Sequence, residues 1–194
     1  MKNILIEKLK EIYPEFSDVE LNKGLDLFEF REVKAKTIVA AVGEISDYLF
    51  LSIDSITRCY NLNKDGDEAT LWMKPEQTFL TEYKSFVSQM PSTFNLQVYE
   101  DTGLFCISRK NLTRLYLSSI EWAQFGINLT EKLHVTLIDV FVNLLANDAT
   151  QNYQYIEYAF PRFIKVAPLK DIASMLQISP VSLSRIRSGK QTKY

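Results

Sequence analysis

The residues best suited to chemistry lie near the end of the sequence, in "PLKDIASMLQISPVSLSRIRSGK", Pro168 to Lys190. Once its apolar positions are assigned to a core, Ser179, Ser182 and Arg185 remain on one side, with Val181 beside them. An Arg guanidinium can donate to two acceptors of a guanine at once. Ser hydroxyls serve base edges or phosphates, Val suits a thymine methyl, and Lys170, Arg187 and Lys190 can neutralise backbone phosphates. That chemistry is recognition of double-stranded DNA, with Arg185 as the main reader of sequence.

No comparable case exists for catalysis. His134 is the only histidine, and a base-and-nucleophile pair or a metal centre needs partners that one histidine cannot supply. Cys59 and Cys106 stand in apolar, strand-like runs and read as buried free thiols. "NKDGDE", Asn63 to Glu68, lacks the closing bidentate Glu of a calcium loop and reads as a hairpin turn at Asp65-Gly66. No catalytic residue, metal or cofactor is assigned.

Holding Arg185 over a groove requires two crossed helices. Leu169, Ile172 and Leu176 supply the apolar face of one, Leu183 and Ile186 that of the next, and Ile178 lies between them. Ala173 is small where the helices must cross, and Ser179-Pro180 is an N-cap followed by Pro at the first helical position. This is helix-turn-helix spacing. One position departs: Gln177 occupies the turn site that favours Gly and must accept that conformation at a steric cost.

Charge separates this segment from the rest. Lys165 to Tyr194 holds six basic residues against Asp171, a net of +5, whereas the first 164 residues carry a net of −7. A polyanion suits only the tail. Upstream, Leu5, Leu9 and Ile12 mark a short helix ended by Pro14, and "SDVE", Ser17 to Glu20, has capping-box spacing. From Phe28 to about Ile107 the runs "TIVAAV", "YLFLSI", "SITRCYNL", "EATLWM" and "LFCIS" predict an all-β region. Beyond it Leu129, Leu133, Leu137, Val140 and Leu144 recur at helical spacing, widened by Trp122, Phe125, Ile138, Phe141 and Leu145. So broad a band exceeds what one sheet needs and predicts a long helix that also meets a second subunit. A further helix is predicted across "ATQNYQYIEYAF", with a domain boundary near Asp148. No run suits a membrane span, and the charged N-terminus does not suit a signal peptide, so a cytoplasmic protein is expected.

This order of elements resembles the Crp/Fnr family of bacterial transcription regulators, above all in "PLKDIASMLQISPVSLSRIR" and in Val42-Gly43-Glu44 within the β region. The resemblance implies an α+β chain. Residues 1–115 would be a jelly-roll-like β-roll of the cyclic-nucleotide-binding type with flanking helices, 116–147 a dimerisation helix, and 148–194 a small all-α helix-turn-helix domain. It further implies a homodimer on promoter DNA, with RNA polymerase and a small-molecule effector as additional partners. The family's phosphate cassette is F-x-G-E with an Arg ten residues after the Glu. Here "FLTEYKSFVSQMPSTFN" keeps Phe79 and Glu82, but Thr81 replaces the Gly, Ser92 stands at the Arg position and Thr93 follows. Without that cation, tight cyclic AMP binding is not expected. Phe79, Tyr83, Phe86 and Phe94 would line an apolar pocket or pack the roll. Seven residues after Arg187 are too few for the wing usual in the family. The alternative reading is a β-roll sensor or interaction protein that does not bind DNA.

Overall fold

The computed structural model describes residues 2–64 and 66–189. Two helices open the chain, α1 (Lys2–Ile12) and α2 (Asp18–Leu25). Ser17 caps α2 through its side chain, but the reciprocal half of the expected capping box is absent: the Ser17 amide donates to Glu121 Oε2 at 2.7 Å, and Glu20 pairs with Lys23. A carboxylate from a distant helix has taken the place of the local one.

Eight strands follow: β1 (Glu29–Val33), β2 (Ile38–Ala40), β3 (Tyr48–Ser52), β4 (Thr57–Leu62), β5 (Glu68–Lys74), β6 (Phe79–Leu80), β7 (Asn95–Val98) and β8 (Thr102–Ser108). They form two antiparallel four-stranded sheets, ordered β1-β8-β3-β6 and β2-β7-β4-β5. Leu96, Val98, Cys59 and Cys106 fill the space between them. Gly66, in the β4–β5 turn, takes φ +86°, and Asp65 lies outside the described residues. Gly43 of the Val42-Gly43-Glu44 turn takes φ +85°. A short helix, α3 (Tyr83–Ser88), interrupts the expected all-β region.

The expected long helix is one element that carries the whole apolar band from Trp122 to Leu145, and a shorter helix precedes it. α4 (Arg109–Ser118) ends at Ser119, whose side chain caps α5 (Ile120–Ala146). Trp122 and Phe125 of α5 are fully buried with Phe16, Leu21 and Leu51, locking the helix to the roll. Gly24 permits this, because a Cβ there would meet the Trp122 ring at 1.8 Å, and Trp122 Nε1 donates to the Glu20 carbonyl. Asp148 then caps α6 (Ala149–Ala159) in a complete capping box with Gln151. The remaining helices are α7 (Pro161–Val166), α8 (Leu169–Met175) and α9 (Pro180–Arg187). Ile172, Ala173, Leu183 and Ile186 share a second core with Ile56 and Met73 of the β domain. No described helix is long and apolar enough to cross a membrane.

Candidate nucleic-acid interface and effector cavity

Ala173 of α8 is completely buried, in the core that also holds Leu183 and Ile186 of α9, as close helix contact requires. Gln177 sits between them at φ +55°, the left-handed conformation anticipated for that slot. Ser179 accepts from the Ser182 amide at 3.1 Å, and Pro180 occupies the first turn of α9. Both serines are therefore engaged in building the helix start: their hydroxyls lie 2.9 Å apart, and Ser182 is half-buried. Val181 and Arg185 are exposed on one face, where Ser184, overlooked in the sequence, joins them at helical spacing.

The remaining expected DNA contacts are dispersed. Arg187 lies toward α6, where its charge opposes the upward shift that burial and Glu157 impose on the Tyr153 phenol. Lys170 stands 3.8 Å from Glu68 on β5. Lys190 lies outside the described residues.

The helix pair is docked on the second sheet through buried polar contacts. Arg58 of β4 is 2% exposed; its Nη1 donates to Glu68 at 2.7 Å, and its Nε donates to Thr70. Its Nη2 lies 3.2 Å from Asp171 Oδ1, off the line of a directed hydrogen bond, so that contact is an ion pair. Tyr60 stacks beneath the guanidinium at 4.4 Å. The Tyr99 hydroxyl donates to the other Asp171 oxygen at 2.9 Å; burial, then the Asp171 charge, push that phenol's pKa well up. The Glu68 carboxyl is held below its ordinary range chiefly by Arg58. From α7, Arg162 pairs with Glu100 and Glu76 at 2.9 and 3.0 Å.

The cassette region is closed on itself. Ser92 donates from its hydroxyl to the Phe94 carbonyl, and its backbone pairs with Gly43 and Glu44. Thr81 donates to the Tyr48 carbonyl at 2.8 Å. Glu82 caps α3 by accepting from Ser85 N at 2.6 Å, while its buried second oxygen, Oε1, has no hydrogen-bond partner. Burial, reinforced by this carboxylate, pushes the Cys59 thiol far up, and burial pushes Cys106 to about 11. Both thiols are free and buried.

Phe79, Thr81 and Glu82, with Tyr83 and Phe94, border a cavity of about 610 Å³ between the roll, α5 and the C-terminal helices. Ser92 and Thr93 do not border it, and Phe86 borders a smaller one. Leu129, Leu133, Leu137, Val140 and Leu144, the stripe expected to meet a second subunit, line this same cavity. Leu129 is 6% exposed, inside the roll core. Further along α5, Val135, Leu137, Ile138, Phe141, Val142 and Leu145 are 46–71% exposed, so Leu137 borders the cavity and is open to solvent as well, while Val135, Ile138, Val142 and Leu145 form an uncovered row beside it. The band is wide enough to hold two seams, and only the placement of Trp122 and Phe125 decides which one the roll takes. His134 is exposed. Lys74, at the end of β5, also lines the cavity, and no local sequence signal marks it.

Comparison with known proteins places this architecture. No protein-family model and no curated protein matches the chain. Among solved structures, it is similar to a transcriptional regulator of the Crp/Fnr family from Eubacterium rectale, with TM-score 0.67 and 14% identity, over 92% of this chain and 85% of that one. FixK2 from Bradyrhizobium japonicum matches with TM-score 0.67 and 14% identity, over 84% and 83% of the two chains. The c-di-GMP-responsive regulator CLP of Xanthomonas campestris matches with TM-score 0.64 and 16% identity, over 89% and 91%. The fold is thus that of the Crp/Fnr regulators: a cyclic-nucleotide-binding-type β-roll, a long helix and a helical C-terminal part.

Proposed function

We propose that this chain is a sequence-specific DNA-binding transcription regulator of the Crp/Fnr type that acts as a homodimer on promoter DNA. The observation that carries the reading is the capped α9, with Val181, Ser184 and Arg185 exposed on one face beyond a tightly crossed α8. The similarity to solved structures described as regulators, CLP and the Eubacterium rectale protein, supports it. The reading includes no catalytic activity.

The dimer is proposed to form along Val135, Ile138, Val142 and Leu145, whose spacings of three, four and three residues suit a two-helix seam. Two copies related by a twofold axis would present two α9 helices to successive major grooves. An effector acts by favouring one disposition of those helices. Cyclic AMP does not fit that role, because Ser92 supplies no charge to the phosphate and is engaged with Phe94.

Fluorescence anisotropy with labelled genomic fragments over a salt series tests the DNA reading. Phosphate contacts predict affinity falling steeply and log-linearly with salt. Absent binding, or binding indifferent to salt, rejects it. Calorimetry with cyclic AMP and cyclic GMP tests the effector statement, and a micromolar or tighter Kd for either would sink that part alone.

A further inference from the structure

Lys74 ends β5 against the 610 Å³ cavity, with its Nζ 5.7 Å from the centre of the Trp72 ring. It is half-buried, and among the described residues no carboxylate pairs with it. Its pKa falls to about 8 through burial alone, with no charge acting in either direction. The other cations on this lining differ. Lys8 and Lys132 both bond Glu11, and Lys84 is exposed at the edge. The carboxylates each have a partner, Glu11 those lysines, Glu76 Arg162 through Oε1, and Glu82 the start of α3, although Glu76 Oε2 and Glu82 Oε1 are buried without a hydrogen-bond partner.

The rest of the lining is chiefly apolar, drawn from Trp72, Phe79, Leu137, Val140, Ile156 and Phe160. The volume lies within the ~300–1,000 Å³ of small-molecule sites. A lone ammonium in an apolar cavity loses hydration that only an incoming anion restores. One cation balances one negative charge, so a dianion would remain half-compensated, and a polar body would find few partners on these walls.

We propose that this cavity binds an apolar monocarboxylate, its carboxylate accepting from Lys74 Nζ and its hydrocarbon body lying between β5–β6 and α5–α7. The lining reaches Met175 of α8, so an occupant touches the roll and the helix pair together. This assigns the effector class of the regulator proposed above and rests on that reading for its consequence, though not for the binding itself.

Isothermal titration calorimetry on the full chain, with decanoate and 1-decanol as probes below their aggregation limits, tests the assignment. Decanoate is expected to bind saturably, one per chain, about tenfold or more tighter than decanol, as one charge-assisted hydrogen bond predicts. Lys74→Met should bring the two probes to nearly equal affinity, and Lys74→Arg should keep the difference. Equal affinities in the native chain, a preference that survives Lys74→Met, or no saturable decanoate binding, as when a second copy fills the cavity, would overturn it. DNA anisotropy with and without decanoate reads the consequence separately. A shift in DNA affinity supports an effector role, and unchanged affinity removes that role. DNA binding that is absent altogether rejects the regulator while leaving a measured decanoate site standing.

Discussion

Arg58 and Asp171 lie 113 positions apart and meet as an ion pair at 3.2 Å, both nearly inaccessible, joining strand β4 of the roll to the first helix of the helix-turn-helix. Each has further partners that make the burial tolerable: Glu68, Thr70 and the Tyr60 ring for Arg58, and the Tyr99 hydroxyl for Asp171. The contact ties the β-roll to the C-terminal helix pair.

Removing one member of such a pair leaves a buried charge uncompensated. Asp171→Asn is expected to destabilise the chain by about 3 kcal/mol. Glu68→Gln, at the solvent-facing end of the same network, is expected to cost ~1 kcal/mol or less. Urea unfolding of the two variants decides this, and similar costs for both would show that Asp171 adds nothing beyond a surface contact.

The strained turn offers a stabilising change. Gln177 holds φ +55° with an exposed side chain, so Gln177→Gly should raise stability by roughly 0.5–1 kcal/mol. A higher thermal midpoint with unchanged circular dichroism is the expected result. A lowered midpoint would mean that the glutamine side chain has a role its exposure does not suggest.

Lys74 makes stability depend on alkaline pH. Its folded pKa of about 8 lies below its unfolded value of 10.5, so between these the unfolded chain binds more protons, and stability should rise with pH through that window. Equivalently, the charged side chain burdens the fold below pH 8. Lys74→Met should stabilise by ~2 kcal/mol at pH 7, allowing for partial exposure, and should flatten the rise. A native urea midpoint that does not change between pH 8 and 10 relative to Lys74→Met would contradict this.

The exposed seam on α5 leads to a prediction about assembly. Val142→Glu introduces a charge into the row Val135, Ile138, Val142 and Leu145 and should convert a dimer to monomer in sedimentation equilibrium. Leu129→Ala, on the opposite side of the seam, should instead lower stability by about 2–5 kcal/mol without altering the oligomer. The reverse pattern would restore the Leu129–Leu144 stripe as the interface.

Arg185 is exposed, and no described carboxylate pairs with it. Arg185→Ala should reduce discrimination between the best site and random DNA by about 1–3 kcal/mol. Competition binding measures that ratio, and an unchanged value would reduce Arg185 to a phosphate contact.

Local signals made part of this protein legible from sequence alone. The cap at Ser179-Pro180, the left-handed turn at Gln177 and the small Ala173 depend on interactions within a few residues, and composition and order reveal them. The strand runs were legible for the same reason, since alternation and turn residues are local properties. Tertiary structure decided the rest. Ser17 donates to Glu121 instead of closing its own box because α5 passes beside it. One apolar band on α5 serves two faces, and Trp122 packing over Gly24 sets the rotation that turns Leu133 and Val140 to the cavity and Val142 outward. Arg58, Asp171 and Lys74 are ordinary charges in sequence. Burial makes the first two a joint and leaves the third without a partner, because desolvation depends on what the whole chain places around a group.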